Sequence, residues 1–182
     1  YQPGTAPAFR VLWDQVNDQR FLAYALKTAS DDNSVYLKKP MSSSELGQSV
    51  RSAEAFLNRM EAYALSGEEG LALAELNAFR KTRVIGYTDV NLSGQALLDE
   101  IRLERRKELC FEGHRWFDLR RQGMPEIKHT YKAEKGGAVY EYVLQQGDPM
   151  YTLPFPNSVV LQNRALVQNP SREMGARQGE IQ

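Results

Sequence analysis

The chain is poor in the residues that build cross-links and metal centres. It has one cysteine, Cys110, and two histidines, His114 and His129. A lone cysteine excludes an intrachain disulfide framework and a cysteine-based zinc site. Net charge is also lacking: 23 Lys and Arg balance 23 Asp and Glu. A neutral chain has no overall cationic field to drive nonspecific nucleic-acid binding, so no nucleic-acid partner is expected. No run approaches the roughly 20 apolar residues that cross a bilayer as a helix. The opening YQPGTAPAF has neither a basic n-region nor a long apolar stretch, and shows no signal peptide. Nucleophile and phosphate motifs are missing too. No serine stands in a G-x-S-x-G elbow, and the glycine-rich turns SGEEG and EKGGA lack the spacing and lysine of a phosphate loop.

What is present is an ordinary globular composition, 42% hydrophobic and 25% charged, with enough chain for one generous domain. Residues 9–29 read as a helix followed by a second helix or a strand, since periodicity does not decide RFLAYALKT. SDDNS is a turn cluster, VYLKK an extended run, and Pro40 ends it. From Ser42 the pattern firms into a helix to Ser66. A serine cluster stands at its start, and Val50, Ala53, Phe56, Leu57, Met60, Tyr63 and Ala64 form one apolar stripe. Gly67 sits where a C-terminal cap belongs. A second helix follows at once, with Leu71, Ala72, Leu76 and Phe79 on one face. A connection this short makes the pair antiparallel, and its small-residue spacing is that of a tetratricopeptide unit.

Ser93 is expected to cap a third helix that continues through Gly113 to about Gln122. Beyond Pro125, YKAEKGGAVYEYVLQQGD reads as a hairpin or an irregular β segment. Pro154 and Pro156 break up the segment after it, and the tail GARQGEIQ reads as frayed. The class is mainly α: tetratricopeptide-like helix pairs with a loop-rich, partly β irregular region.

Candidates for chemistry are few. Glu104, Glu108 and Glu112 stack on one helix face, where a charged or ion-paired surface is a better reading than a catalytic carboxylate pair. Glu112 and His114 project about 200° apart on a helix, the wrong geometry for one metal ion. No metal or cofactor is therefore expected. Cys110, between Leu109 and Phe111, reads as an inert core thiol. Sugar sites need flat rings beside amide and carboxylate groups. Trp13 with Asp14, Gln15 and Asn17 offers that set, as do Tyr140 and Tyr142 near Gln145 and Gln146, with core packing the alternative for each. Trp13, Asp14 and Tyr142 are the ligand-contact candidates.

The stretch LLDEIRLERRKELCFEGHRWFDLRRQG closely resembles the signature of the SusD/RagB family, ERRxELxFEGxRWFDLxR. Glu104, Arg105, Arg106, Glu108, Leu109, Phe111, Glu112, Gly113, Arg115, Trp116, Phe117, Asp118, Leu119 and Arg120 carry it. NDQRF at 17–21 is similar to the family's Asp-x-Arg segment, and AEAFLNRMEAYALSG with AELNAFRKTR to its helical pair. Leu153 to Pro156, then Gln168, Asn169 and Pro170, resemble its closing LPIP…QNP.

The resemblance implies a surface lipoprotein of the outer membrane that binds nutrient glycan without cleaving it. It would hand the ligand to a TonB-dependent, SusC-like transporter. Family members are much longer, so this chain corresponds to their C-terminal portion, and the lipid anchor would lie outside it. Within that C-terminal domain, residues 1–40 form a lead-in and 41–124 a helical core, with a helix pair at 42–83 and the signature helix at 93–122. Residues 125–182 form an irregular segment. Trp116 and Phe117, with Arg115, Asp118 and Arg120, read as an aromatic wedge pinned by ion pairs. Glu112–Gly113 would admit another element beside it. Removing Trp116 from such a wedge should cost about 3–5 kcal/mol. Three readings compete: glycan binding, with peptides as the other ligand class; a scaffold that docks the transporter, with the ligand site elsewhere; and, last, a glycosidase accessory fragment using the glutamate row.

Overall fold

The computed structural model describes residues 11–27, 35–37, 51–132, 137–173 and 179–181. Contacts divide the chain into two units, Tyr1–Gly113 and His114–Gln182.

The first unit is helical. A short helix α1 (Gln19–Tyr24) runs into strand β1 (Ala25–Lys27), which pairs antiparallel with β2 (Val35–Leu37). The second half of the ambiguous 9–29 segment is thus part helix and part strand. The turn cluster 30–34 and the serine cluster 42–44 lie outside the described residues. Helix α2 (Ser52–Leu65) and helix α3 (Glu69–Lys81) form the expected close pair, although α2 begins at Ser52, after an extended Arg51, and does not run unbroken from Ser42. Ala53, Leu57 and Met60 of α2 face Ala72, Leu76 and Phe79 of α3, all buried. Gly67 has φ +85, and the Glu68 N–H reaches back to the Tyr63 carbonyl at 2.9 Å, which closes the end of α2. That left-handed position is one a side chain with a Cβ rarely adopts. Phe56 and Leu71, both expected on the buried stripe, are exposed instead. The Arg59 guanidinium lies 5.0 Å over the Phe56 ring.

Helix α4 (Gly94–Glu108) packs on α2 and α3 and adds Leu97 and Ile101 to the same core, which Leu109 closes. Ser93 occupies its N-cap position but makes no side-chain cap bond. Asn77 of α3 ties down the preceding loop. Its amide donates to the Val90 carbonyl at 3.0 Å, and its oxygen accepts from the Tyr87 hydroxyl and the Val90 N–H.

The signature helix expected at 93–122 is two helices. Helix α4 stops at Glu108, and α5 (His114–Arg121) opens the second unit. Between them Phe111 has φ +62 and Gly113 φ +84, left-handed values incompatible with a continuous right-handed helix. The glycine there serves backbone conformation rather than close approach: a Cβ added at Gly113 would meet nothing within 4 Å.

In the second unit, β3 (Ile127–Lys132) and β4 (Val139–Leu144) form the expected hairpin. The tail, expected to fray, instead supplies β5 (Glu180–Ile181), which pairs with β4. A 3-10 turn at Pro149–Tyr151 precedes the proline segment, and a short helix α6 (Asn157–Gln162) starts directly after Pro156. Proline breaks a helix from within but is compatible with its start, which is why regular structure resumes there. The prolines leave Phe155 as the one residue of 154–156 with a backbone N–H. The Gln168 side chain accepts from that N–H at 2.8 Å and donates to the Phe155 carbonyl at 3.1 Å. Asn169 donates to the Leu153 carbonyl at 2.8 Å. Gln168 and Asn169 therefore stand in for a missing strand partner, which is the physical content of the LPFP and QNP motifs.

Candidate functional site

The glutamate row on α4 is a buried ion network. Glu104 is 1% exposed and lies between two guanidiniums, 2.6 Å from Arg20 Nη2 and 2.7 Å from Arg80 Nε. Arg20 also pairs with Asp18 at 2.8 Å and Glu108 at 3.1 Å, and Arg80 with Glu100 at 2.6 Å. Arg51 grips Glu112 through two bonds of 2.8 and 3.0 Å and reaches both the Glu108 carboxylate and its backbone carbonyl. Burial alone pushes the Glu104 and Glu108 carboxyls up, but the surrounding arginines outweigh it and hold both below their ordinary range. Carboxylates so held are permanently ionised acceptors near neutral pH, not proton donors. This row ties the 17–21 segment, α3 and α4 together. The backbone adds to the tie: Gln19 N–H donates to the Arg83 carbonyl and Ile85 N–H to the Asn17 carbonyl.

The sequence candidates separate on inspection. Trp13 is a core residue at 5% exposure, packed with Phe21 and Cys110 and edge-on to Tyr24, with the Arg20 guanidinium 5.4 Å from its ring. No open face of that ring is left for a sugar, and the expectation that it stacks a ligand gives way to the core alternative. Cys110 is buried in the same cluster. Asp14 is exposed, but its carboxylate accepts from the Val16 and Asn17 N–H groups and from the Asn17 amide, which lower its pKa and fix a turn.

The signature aromatics also part company. Trp116 stacks on Tyr151 with centroids 4.9 Å apart, and the Tyr151 hydroxyl donates to the Pro125 carbonyl. Phe117 is 66% exposed and is no part of that wedge. Asp118 is buried and pairs with Arg121 three residues on, and Arg120 donates to Thr152 Oγ1. The aromatic stack of this region is thus Trp116 on Tyr151. Among the described residues, no group of three or more His, Cys, Asp and Glu is placed to hold a metal ion.

Tyr142 sits differently. In the β3–β4 register Tyr140 faces Tyr131, Tyr142 faces His129 and Leu144 faces Ile127, so these six share one side of the sheet. Ile181 of β5, opposite Tyr140, joins them. Tyr142 stands opposite Gly179 in the continued register, and a Cβ added there would come within 2.8 Å of the Tyr142 ring. That ring is thus laid over the glycine backbone. Lys128, Glu141 and Glu180 occupy the other side. Neither His129 nor Tyr131 is among the ligand-contact candidates read from the sequence, because IKHTYK is too polar to read as half of an aromatic face.

A tetratricopeptide-like helix pair extended by a third helix, followed by a loop-rich unit with a small sheet, defines a mainly α scaffold whose signature residues hold the fold together. The model of the SusD family matches residues 17–171, and the chain belongs to that family. A SusD superfamily protein from Bacteroides fragilis shares its fold with TM-score 0.60 and 25% identity, over 89% of this chain and 36% of that one. A SusD-like protein from Bacteroides fragilis NCTC 9343 aligns with TM-score 0.50 and 26% identity, over 66% and 25%. A SusD-like carbohydrate binding protein from Bacteroides vulgatus gives 0.57 and 22%, over 90% and 41%, a likeness of fold. The chain thus spans between 25% and 41% of the length of these structures. Among curated proteins none matches it.

Proposed function

We propose that the chain belongs to a non-catalytic nutrient-binding protein that takes glycan at the outer-membrane surface and passes it to a TonB-dependent transporter. The observation that carries this reading is the family match over 17–171. The state of the carboxylate row on α4 supports it: Glu104 and Glu108 are buried and paired with arginines, an arrangement that suits an ion-pair network better than a general acid. No helix of the described residues is long and apolar enough to cross a membrane. In this reading a lipid anchor outside the chain attaches the protein. The scaffold reading, in which this portion docks the transporter, draws on the exposed apolar side chains Leu153, Leu161 and Val167. Affinity electrophoresis of the chain through polysaccharide gels, with a reducing-end assay on the same mixtures, tests the choice. Retardation without new reducing ends supports glycan binding. Free migration through every gel favours the scaffold or a peptide ligand, and new reducing ends overturn the non-catalytic reading.

A further inference from the structure

We infer that the aromatic side of the β3–β4–β5 sheet is a platform for a neutral glycan chain, with Tyr131, Tyr140, Tyr142 and His129 as its contacts. This inference rests on the glycan-binding reading and adds to it a place and a ligand class. The first support is the division of charge between the two sides of the sheet. The aromatic side carries no Asp, Glu, Lys or Arg among the described residues of its strands, while Lys128, Glu141 and Glu180 all stand on the other. A small antiparallel sheet ordinarily buries its apolar side and wets its charged one. Here the apolar side stays partly open: Tyr131 is 50% exposed, Ile181 more so and His129 is exposed, while Tyr140 and Tyr142 are half-buried. Open aromatic area of this kind marks an interaction surface rather than a core.

The chemistry selects the ligand. Three phenol rings and an imidazole give flat π faces for the C–H side of a pyranose, and their hydroxyl and ring-nitrogen groups donate to and accept from sugar hydroxyls. With no Lys or Arg on this side among the described strand residues, a uronate or sulfate group would lose its hydration without a partner there, which disfavours acidic polymers. Tyr142 is held for the task. Its ring lies over Gly179, whose missing side chain leaves it room, so the ring is set down along the sheet before any ligand arrives. Rings two positions apart on β4 lie about 7 Å from each other, and cross-strand neighbours about 5 Å. That array is extended and suits a chain rather than a single sugar.

The test is affinity electrophoresis of the full chain, with xylan, galactomannan and mixed-linkage β-glucan as neutral probes and polygalacturonate and chondroitin sulfate as acidic ones. The inference expects retardation by at least one neutral polymer. Tyr131→Ala should weaken it roughly tenfold, and Tyr131→Phe should retain most of it. Gly179→Ala keeps every ring but crowds both the Tyr142 ring and the Tyr140 Cβ, each 2.8 Å from the added methyl, and should weaken retardation as well. Circular dichroism of each variant separates loss of binding from loss of folding. If the wild-type chain is retarded but Tyr131→Ala, Tyr142→Ala and Gly179→Ala are retarded equally, the platform is wrong and the glycan-binding reading stands. If only acidic polymers retard it, the ligand class is overturned. If no polymer retards it, the glycan-binding reading fails for this chain and the platform fails with it.

Discussion

Glu104→Gln is the sharpest test of the buried network. The substitution keeps volume and shape while removing one charge from a site where Arg20 and Arg80 converge at 2.6 and 2.7 Å. Removing one partner of a buried pair costs about 3–5 kcal/mol, because the remaining charge is stranded away from water. Here Arg20 keeps Asp18 and Glu108, and Arg80 keeps Glu100, so the low end applies, about 3 kcal/mol. In urea this is a midpoint shift of about 1–1.5 M. The chain has two tryptophans, Trp13 beside Arg20 and Trp116 in the second unit. A Trp116→Phe background leaves Trp13 fluorescence as a reporter of the network's own unit. Asp89→Asn is the control: Asp89 pairs with Lys81 at 2.8 Å, but both are about half exposed, and the loss should be under about 0.5 kcal/mol. The pH dependence has a fixed sign. A carboxylate held below its ordinary 4.5 contributes stability that is fully present above 4.5 and is lost as pH falls through the lower folded value. The gap between wild type and Glu104→Gln should therefore be widest near neutral pH and close on acidification below 4.5. A Glu104→Gln midpoint within error of Asp89→Asn at pH 7 would refute the network as a stabilising element.

Other substitutions probe separate links. Gly113→Ala should destabilise by about 1 kcal/mol in a thermal melt through backbone conformation alone, because φ is +84 and the space for a methyl is open. Gly113→Asn should recover part of that loss. Gln168→Ala removes both bonds to Phe155, and amide hydrogen exchange at Phe155 should accelerate at least about tenfold, with Leu109 N–H unaffected. Trp116→Ala should cost about 2 kcal/mol in a urea melt rather than the 3–5 of a fully buried ring, since Trp116 is half-buried and its main contact is Tyr151. Phe117→Ala, at an exposed ring, should change the same midpoint by less than about 0.5 kcal/mol.

The sequence by itself determined what depends on neighbours along the chain. Three- and four-residue apolar spacing defines α2 and α3, Gly67 their tight connection, and the Tyr- and Val-rich run the β character of 139–144. The signature motif is legible for the same reason, as a fixed order of residue types. Tertiary structure decided which groups meet. Glu108 finds Arg20 at 88 positions' distance, and no periodicity announces such a partner. Nor does residue type announce exposure: Trp13, read as a sugar contact, is sealed into a core, whereas Phe117, read as part of a wedge, faces water. The break at Phe111–Gly113 was hidden because helix propensity sums over a window, while two left-handed residues suffice to end the helix. The aromatic side of the sheet emerged only with the strand register, because His129, Tyr131 and Tyr142 become neighbours through pairing rather than through sequence.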